Sequence, residues 1–288
     1  MATVLCWILI VIIAIAGVVT LAFYCLRYLH RRRHPEQYRV SAVDTSVGVF
    51  RGLLAILAEW GALGLLIVSY PLRLIHDLAP VRRRDPDSTP VILIHGYGAN
   101  SACFLWLQWR LKRLGIRDVY AVSYTPPTIN MRTLARQVAR HVERILEATG
   151  AQQVHVVGHS MGGPLIRLAL QHENLAGKIG RVITLGSPHA GSWLSNATAL
   201  PGAASQMRYQ GAFLAAINTA TPDVDEPRYF SIWSAFDNFV LPPTSSLLEA
   251  PAKNIHVPAL GHCSLLFSCR VRGLIVKALD GQLDSPSA

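Results

Sequence analysis

Ser160 stands in the sequence VVGHSMGG, which spans residues 156–163 and has the spacing G-x-S-x-G. The residues before the serine are apolar, as in a buried strand, and those after it follow a helix-like pattern. In a sharp turn from strand to helix, the glycines avoid side-chain clashes and the serine hydroxyl stands at the apex. A strand before the motif and a helix after it indicate a nucleophilic serine. A chance match to G-x-S-x-G in an ordinary turn would lack these two flanking elements.

A base and an orienting carboxylate should follow, because a serine hydroxyl alone is a weak nucleophile at neutral pH. On α/β folds with this turn, the order along the chain is Ser, then Asp or Glu, then His. Asp237 comes just after the strand candidate 228–233. His262 follows the last strand candidate, and Gly261 leaves the backbone free to present the ring. We therefore predict that Ser160, Asp237 and His262 meet at the carboxyl edge of one sheet.

Other acids and histidines compete for these two roles. His189 is the strongest rival base, but it precedes Asp237 and so breaks the expected order. His159 adjoins the serine, and adjacent side chains on such a turn point in different directions, so we expect it to be a packing residue. The remaining candidates are interpreted as loop charges or structural residues: Asp223, Asp225, Glu226, Glu249, His155 and His256.

Acyl transfer also needs hydrogen-bond donors for the negative charge that develops on the substrate oxygen. The sequence HGYGAN, residues 95–100, follows the first strand candidate, and its glycines allow a loop to bring the Tyr97 amide toward the serine. The amide of Met161, directly after the nucleophile, would be the second donor. The alternative is that His95 and Gly96 only cap a strand.

Composition limits the classes of function. The chain has 288 residues, a net charge of +10 and 51% hydrophobic residues, which suggests contact with lipid. Its arginine clusters, 31–33 and 82–84, lack interleaved aromatic residues, so we expect no nucleic-acid partner. Five cysteines without short regular spacing favour neither a disulfide framework nor zinc, although Cys263 and Cys269 could pair. No H-E-x-x-H motif occurs, and we predict no metal and no cofactor.

The first 89 residues are predicted to form a membrane anchor region. No charged residue occurs from Val4 to Leu26, and about 20 apolar residues suffice to cross a bilayer, so we predict a transmembrane helix at about 4–26. A cleaved signal peptide would need a positive start and a small-residue cleavage site, and neither is clear. The basic flank, residues 27–39, should remain in the cytoplasm.

A second apolar segment, residues 52–70, is interrupted by Glu59. A carboxylate at bilayer depth is costly, so this segment is either a weaker span or an interfacial or core helix. Two spans would place the rest of the chain on the outer, periplasmic side of a bacterial cytoplasmic membrane, which is the prediction, whereas one span would leave it in the cytoplasm. Residues 71–89 are predicted to form a linker.

From residue 90 onward, short apolar segments alternate with helix-length segments. A helix is predicted over Met131–Thr149, with Gly150 as its stop signal. The strand candidates are 91–96, 118–124, 153–159, 181–186, 228–233 and 254–259. Nearly continuous apolarity means that both faces of the sheet are covered, which predicts an α/β domain over 90–288 with a mostly parallel sheet of about six strands.

Five segments resemble the successive motifs of bacterial lipases of the α/β-hydrolase superfamily: VILIHGYGAN, VVGHSMGG, VITLGSPHAGS, SIWSAFDNFV and VPALGHCSLL. The resemblance covers about residues 90–280. It implies a carboxylic-ester hydrolase in which Ser160 attacks, His262 relays the proton and Asp237 orients the imidazole. The first 90 residues have no counterpart in the small secreted lipases, and the calcium-site aspartates of larger ones find no clear match.

The sequence leaves several alternatives open. An acyltransferase or a thioesterase would use the same three residues, and a membrane scaffold could keep the fold without catalysis. Residues 190–227 could form a cap over the site, or Met207–Asn218 could be an ordinary packed helix. Trp106 and Trp109 could line an acyl pocket or belong to a core-facing helix. The oligomeric state is not indicated.

Overall fold

The computed structural model describes residues 2–40, 43, 46–126, 128–197, 201–218 and 228–284. The described α-helices are Ala2–Arg33 (α1), Val49–Ser69 (α2), Arg73–His76 (α3), Leu105–Arg113 (α4), Met131–Thr149 (α5), Gly162–His172 (α6), Trp193–Asn196 (α7), Ala203–Gln206 (α8), Ala212–Asn218 (α9) and Cys269–Leu279 (α10). The described strands are Val91–Ile94 (β1), Val119–Val122 (β2), Val154–His159 (β3), Ile179–Leu185 (β4), Arg228–Trp233 (β5) and Lys253–His256 (β6).

The six described strands form one sheet in the order β2-β1-β3-β4-β5-β6, and every pairing between neighbours is parallel. The sequence-based prediction of a parallel sheet of about six strands is confirmed. Because the strands are parallel, their carboxyl ends lie at one edge. The segments after β3, β5 and β6 therefore emerge at this same edge, and these segments contain Ser160, Asp237 and His262.

Two apolar clusters cover the two faces of the sheet. One cluster joins the sheet to α5 and α6, with residues such as Val138 and Leu165 fully buried. The other joins it to α4 and α10, where Leu111 and Ile275 are fully buried. Every residue of β1 is buried, as expected for a strand with helices on both sides.

Helix α5 begins and ends where the sequence predicts. The Asn130 side chain accepts a hydrogen bond from the Thr133 amide and so caps the first turn. Gly150 ends the helix at a φ of 67°, a left-handed conformation that glycine adopts at little cost. Residues next to the helix therefore account for both of its ends.

Helices α1 and α2 pack against each other. The Trp60 indole donates a hydrogen bond to the Ile13 carbonyl at 2.7 Å, and Gly17 leaves room for the Trp60 ring. Two segments are long and apolar enough to cross a membrane by length and composition, Cys6–Arg33 and Val49–His76. Helix α1 extends past the predicted end of the span and includes the arginine cluster.

The segment predicted as a linker is bonded to the body of the protein. The backbone amides of Arg84 and Asp85 donate to the buried Asp118 carboxylate at 2.8 Å and 2.9 Å. The Arg83 guanidinium donates to the Thr149 carbonyl at 3.0 Å. These bonds hold residues 83–85 against the start of β2 and the end of α5.

Candidate active site

Ser160 lies at the apex of the turn between β3 and α6, with a φ of 55°. A positive φ is uncommon for residues other than glycine and is often found at functional sites. The turn is packed too closely for side chains at its glycines. A Cβ at Gly162 would lie 2.3 Å from the Ile94 carbonyl oxygen, and one at Gly158 would lie 2.8 Å from the Gly163 nitrogen. The G-x-S-x-G spacing is therefore a steric requirement of this turn.

Asp237 and His262 form a buried hydrogen-bonded pair. Asp237 Oδ2 lies 2.9 Å from His262 Nδ1, and the two side chains are 1% and 6% exposed. The other carboxylate oxygen, Oδ1, accepts hydrogen bonds from the amides of Phe239 and Val240 at 2.8 Å and 2.9 Å. These two bonds fix the carboxylate and leave Oδ2 directed at the ring. With Nδ1 donating to Asp237, Nε2 of His262 is the nitrogen that can accept a proton.

The pKa of His262 is raised above the ordinary value of 6.5. Burial by itself would lower this pKa, because it disfavours the charged ring. The charge of Asp237, its hydrogen bond and the charge of Glu59 act in the opposite direction and outweigh burial. The site therefore stabilises an imidazolium, which is the species that forms when the ring takes a proton from a nucleophile.

Ser160 and His262 lie at the same edge of the sheet, but no described residue hydrogen-bonds the Ser160 hydroxyl. His159 connects the two segments, since its Nε2 lies 3.1 Å from the His262 carbonyl oxygen and the two rings are 4.6 Å apart. Contacts between a nucleophile and its base are often long without substrate and shorten when it binds. The expectation that His159 packs rather than reacts agrees with its burial, which holds its pKa well below 6.5.

The predicted oxyanion loop approaches the nucleophile at Gly96. A Cβ at this residue would lie 2.7 Å from the Ser160 Cβ and 3.1 Å from its Oγ. Only glycine allows the backbone to come so near, and Tyr97 is the next residue. Met161 lies directly before the first turn of α6. Both predicted donors are thus in segments that flank Ser160, while their role as donors stays a prediction.

Tyr124 is a residue of this site that sequence reasoning missed. Its hydroxyl donates to the His95 carbonyl oxygen, and its ring stacks on the His95 ring with centroids 4.0 Å apart. His95 Nδ1 donates to the Gly96 carbonyl oxygen at 2.8 Å, and burial lowers the pKa of His95 to about 4, so the ring is neutral. This clamp fixes the loop that leads to Tyr97. The only available signal was the position of Tyr124 at the end of the second strand candidate.

The other candidates for the base and the acid are not part of the Asp237–His262 pair. His189 Nε2 is paired with Thr184 Oγ1 at 3.1 Å, and burial holds the pKa of His189 well below 6.5. Glu249 is exposed. The acids Asp223, Asp225 and Glu226 lie outside the described residues.

The candidate cap is largely a packed structure where it is described. Helix α9 buries Leu214 and Ile217, and the Gln171 side chain donates to the Ile217 carbonyl at 2.7 Å. Of the predicted helix Met207–Asn218, residues 212–218 form a packed helix, whereas residues 207–211 precede it and are not helical. Residues 198–200 and 219–227 of the candidate cap lie outside the described residues.

An apolar groove of about 480 Å³ lies between α2 and α4. Its lining includes Ala62, Leu65, Trp106 and Phe267, but none of the three predicted catalytic residues. Trp106 and Trp109 are both partly exposed on the outer side of α4. They therefore do not belong to the buried face of that helix, which presents Leu107 and Leu111 to the core.

The cysteines are unpaired thiols, with Cys263 buried and Cys269 exposed. Within the described residues, no group of three or more His, Cys, Asp or Glu side chains is arranged to hold a metal ion. The absence of a metal and of a cofactor stays a prediction.

The N-terminal helices reach the loop that contains Asp237. The Arg27 guanidinium donates to the Ala235 carbonyl at 2.6 Å and lies 4.8 Å from the centre of the Phe236 ring. Phe23 stacks on Phe239 with centroids 4.1 Å apart. The predicted anchor therefore contacts the candidate site directly, which the sequence did not indicate.

The fold and the turn at Ser160 agree with a comparison against known families, in which a model described as the α/β hydrolase fold matches residues 89–221. The chain has the α/β-hydrolase fold. Solved structures support the same fold. The mature form of a Bacillus licheniformis lipase superimposes with a TM-score of 0.59 at 19% identity, covering 70% of this chain and 96% of that one.

Two curated relatives that the chain matches are triacylglycerol lipases. The protein from Burkholderia plantarii is 31% identical over 147 residues, which is 48% of this chain and 39% of the relative. The protein from Vibrio cholerae is 33% identical over 109 residues, which is 36% of this chain and 33% of the relative. The chain thus spans less than half the length of these relatives.

Proposed function

We propose that this α/β hydrolase is a membrane-anchored carboxylic-ester hydrolase that acts on lipid-like esters through Ser160, His262 and Asp237. The observation that carries the proposal is the buried Asp237–His262 hydrogen bond at the sheet edge where the strained Ser160 turn emerges. The similarity to triacylglycerol lipases supports an ester substrate. No cofactor and no metal enter the proposed reaction.

The proposed reaction has two halves. Ser160 Oγ attacks the ester carbonyl carbon while His262 Nε2 takes the hydroxyl proton. The backbone amides of Tyr97 and Met161 would donate to the resulting oxyanion. Collapse of this intermediate breaks the bond to the alcohol, which leaves with the proton from His262, and the acyl group remains on Ser160. Water then attacks the acyl carbon while His262 takes its proton. The bond to Ser160 Oγ breaks, His262 returns the proton to the serine, and the carboxylic acid is released.

Attachment to a membrane would bring the site near its substrate. Helices α1 and α2 expose large apolar side chains, including Trp7, Leu21, Phe50 and Leu57. Exposed apolar area of this extent is typical of surfaces that meet lipid or protein. The basic flank after residue 26 predicts that this end of α1 lies in the cytoplasm. Because Arg27 of this flank bonds the Ala235 carbonyl of the catalytic domain, the contact favours a catalytic domain on the cytoplasmic side over the periplasmic side that the sequence predicts.

An ester-cleavage assay tests the proposed activity. The full-length protein in detergent should hydrolyse p-nitrophenyl esters, and a series of chain lengths would define the acyl preference. Ser160→Ala should lose this activity, whereas Ser88→Ala, which changes a serine before β1 whose hydroxyl bonds the nearby Asp85 carbonyl, should retain it. If an added alcohol gave more transfer product than hydrolysis, the chain would be an acyltransferase. If the wild type and Ser160→Ala had equal activity, the proposal would be wrong.

Fractionation of cells tests the proposed attachment to a membrane. The protein should stay with the membrane fraction after a carbonate wash at high pH, and a carboxyl-terminal tag should be cleaved by added protease only after the spheroplasts are lysed. A tag cleaved in intact spheroplasts would place the domain on the periplasmic side. Recovery in the soluble fraction would contradict the anchor.

A further inference from the structure

Glu59 lies in the middle of α2 but is only 1% exposed, because it faces the loop that follows His262. Its Oε1 accepts a hydrogen bond from the Cys263 amide at 2.8 Å, and its Oε2 accepts one from the Ser264 amide at 2.8 Å. Cys263 is the residue directly after His262. One carboxylate from the predicted anchor therefore holds two consecutive amides next to the predicted catalytic base.

Gly261 makes this contact possible. A Cβ at this residue would lie 2.5 Å from Glu59 Oε2 and 2.7 Å from the Tyr24 hydroxyl oxygen. Both neighbours belong to the N-terminal helices, one to α2 and one to α1. The glycine before His262 is thus required by the close approach of the anchor helices, in addition to any freedom that it gives the loop.

A simple packing role for Glu59 does not account for this arrangement. Burial of a carboxylate is costly unless its hydrogen bonds are satisfied, and an apolar side chain would pack between two helices at lower cost. An apolar residue here would leave the amides of Cys263 and Ser264 without their partner. A buried amide without a partner costs about 1–3 kcal/mol, so the loop would rearrange. The two oxygens of the Glu59 carboxylate therefore provide the acceptors that the two loop amides need.

We propose that Glu59 is a positioning residue that fixes the His262 loop, so that the N-terminal helices form part of the catalytic assembly. This inference rests on the proposed function of His262 as the base. It explains how an acidic residue in the middle of an otherwise apolar helix contributes to the molecule. Loss of the contact should disturb the position of the imidazole rather than the binding of a small substrate.

The charge of Glu59 gives the proposal a distinct pH signature. The titratable and charged groups around Glu59 and His262 are Asp237, His159, Tyr24, Arg27 and Cys263. Glu59 adds to Asp237 in raising the pKa of His262. Removal of its charge should lower that pKa, so the acidic limb of the kcat/KM profile should shift to lower pH.

The test is Glu59→Gln in the full-length protein, with Arg51→Gln as a matched control, since Arg51 is an exposed charge on the same helix. For a small soluble ester, Glu59→Gln should lower kcat by about 10- to 100-fold, as a misplacement of about 1 Å does, while KM stays within about twofold. The acidic limb of the kcat/KM profile should shift to lower pH. The control should match the wild type, and a wild-type kcat in Glu59→Gln would overturn the proposal.

Two further measurements keep the test decisive. Gly261→Ala approaches the same contact from the loop side and should also lower kcat, whereas Gly273→Ala, where a Cβ meets nothing within 4 Å, should not. Hydrogen exchange should rise over residues 257–267 in Glu59→Gln and not in Arg51→Gln. This readout does not depend on ester cleavage. Unchanged exchange would therefore refute the contact even in an active enzyme, and increased exchange in a protein without esterase activity would refute only the proposed function.

Discussion

Asp237 directs one carboxylate oxygen at His262 Nδ1, 2.9 Å away, and holds its other oxygen on two backbone amides. This division makes the carboxylate rigid, because rotation of the group would break two hydrogen bonds to the loop. The imidazole is consequently held in one orientation and one tautomer. Both properties are required of a base that takes a proton at Nε2.

Asp237→Asn should reduce kcat by a factor on the order of 10⁴, because the amide no longer holds the correct tautomer. The same change removes the largest influence that raises the pKa of His262. The acidic limb of the kcat/KM profile, expected above pH 6.5 in the wild type, should therefore shift to lower pH in the variant. Steady-state rates measured from pH 4 to pH 9 check both effects. A variant with the wild-type rate would show that this pair has no part in turnover.

Gly186→Ala should separate Asp237 from His262. A Cβ at this residue would lie 2.9 Å from Asp237 Oδ2 and 3.3 Å from His262 Nδ1. Gly177→Ala is the matched control, since Gly177 also has a positive φ but a Cβ there meets nothing within 4 Å. Both variants should lose roughly 1–2 kcal/mol of stability from backbone strain. Gly186→Ala should lose more, because its Cβ would also lie 2.8 Å from Leu265 Cδ1. Only Gly186→Ala should lose most of its ester cleavage; equal activities in the two folded variants would argue against the prediction.

Tyr124→Phe should loosen the oxyanion loop. The variant loses the hydroxyl that donates to the His95 carbonyl, while the ring can still stack on His95. We expect kcat to fall by about tenfold with little change in KM, because the loop contributes mainly to the transition state. Tyr120→Phe is a suitable comparison, since that hydroxyl donates to the Arg82 carbonyl at 2.7 Å, outside the site. A larger loss in Tyr120→Phe than in Tyr124→Phe would count against this assignment.

The sequence predicted those features that depend on local pattern. Alternating apolar strands and helix-length segments predicted the parallel sheet, and Gly150 marked the end of α5. The order of Ser160, Asp237 and His262 along the chain, combined with parallel strands, predicted that these residues would meet at one edge.

Contacts between distant segments could not be predicted in this way. Glu59 and the amide of Cys263 are 204 residues apart, and no periodicity indicates which amide a buried carboxylate will reach. The buried positions of α1 include Thr20, Tyr24 and Arg27, which lie on one helical face. An apolar helix predicted as a membrane span gave no reason to expect a protein partner for that face. The Tyr124–His95 clamp was missed for the same reason, since it joins the ends of two neighbouring strands.

The most direct test of the central claim is the rate at which a fluorophosphonate probe labels the full-length protein, with the modified peptide identified by mass spectrometry. The account predicts a single labelled residue, Ser160, and labelling slowed by several orders of magnitude in a folded His262→Ala variant. Labelling of a different residue, or an unchanged rate at Ser160 without the His262 ring, would contradict it.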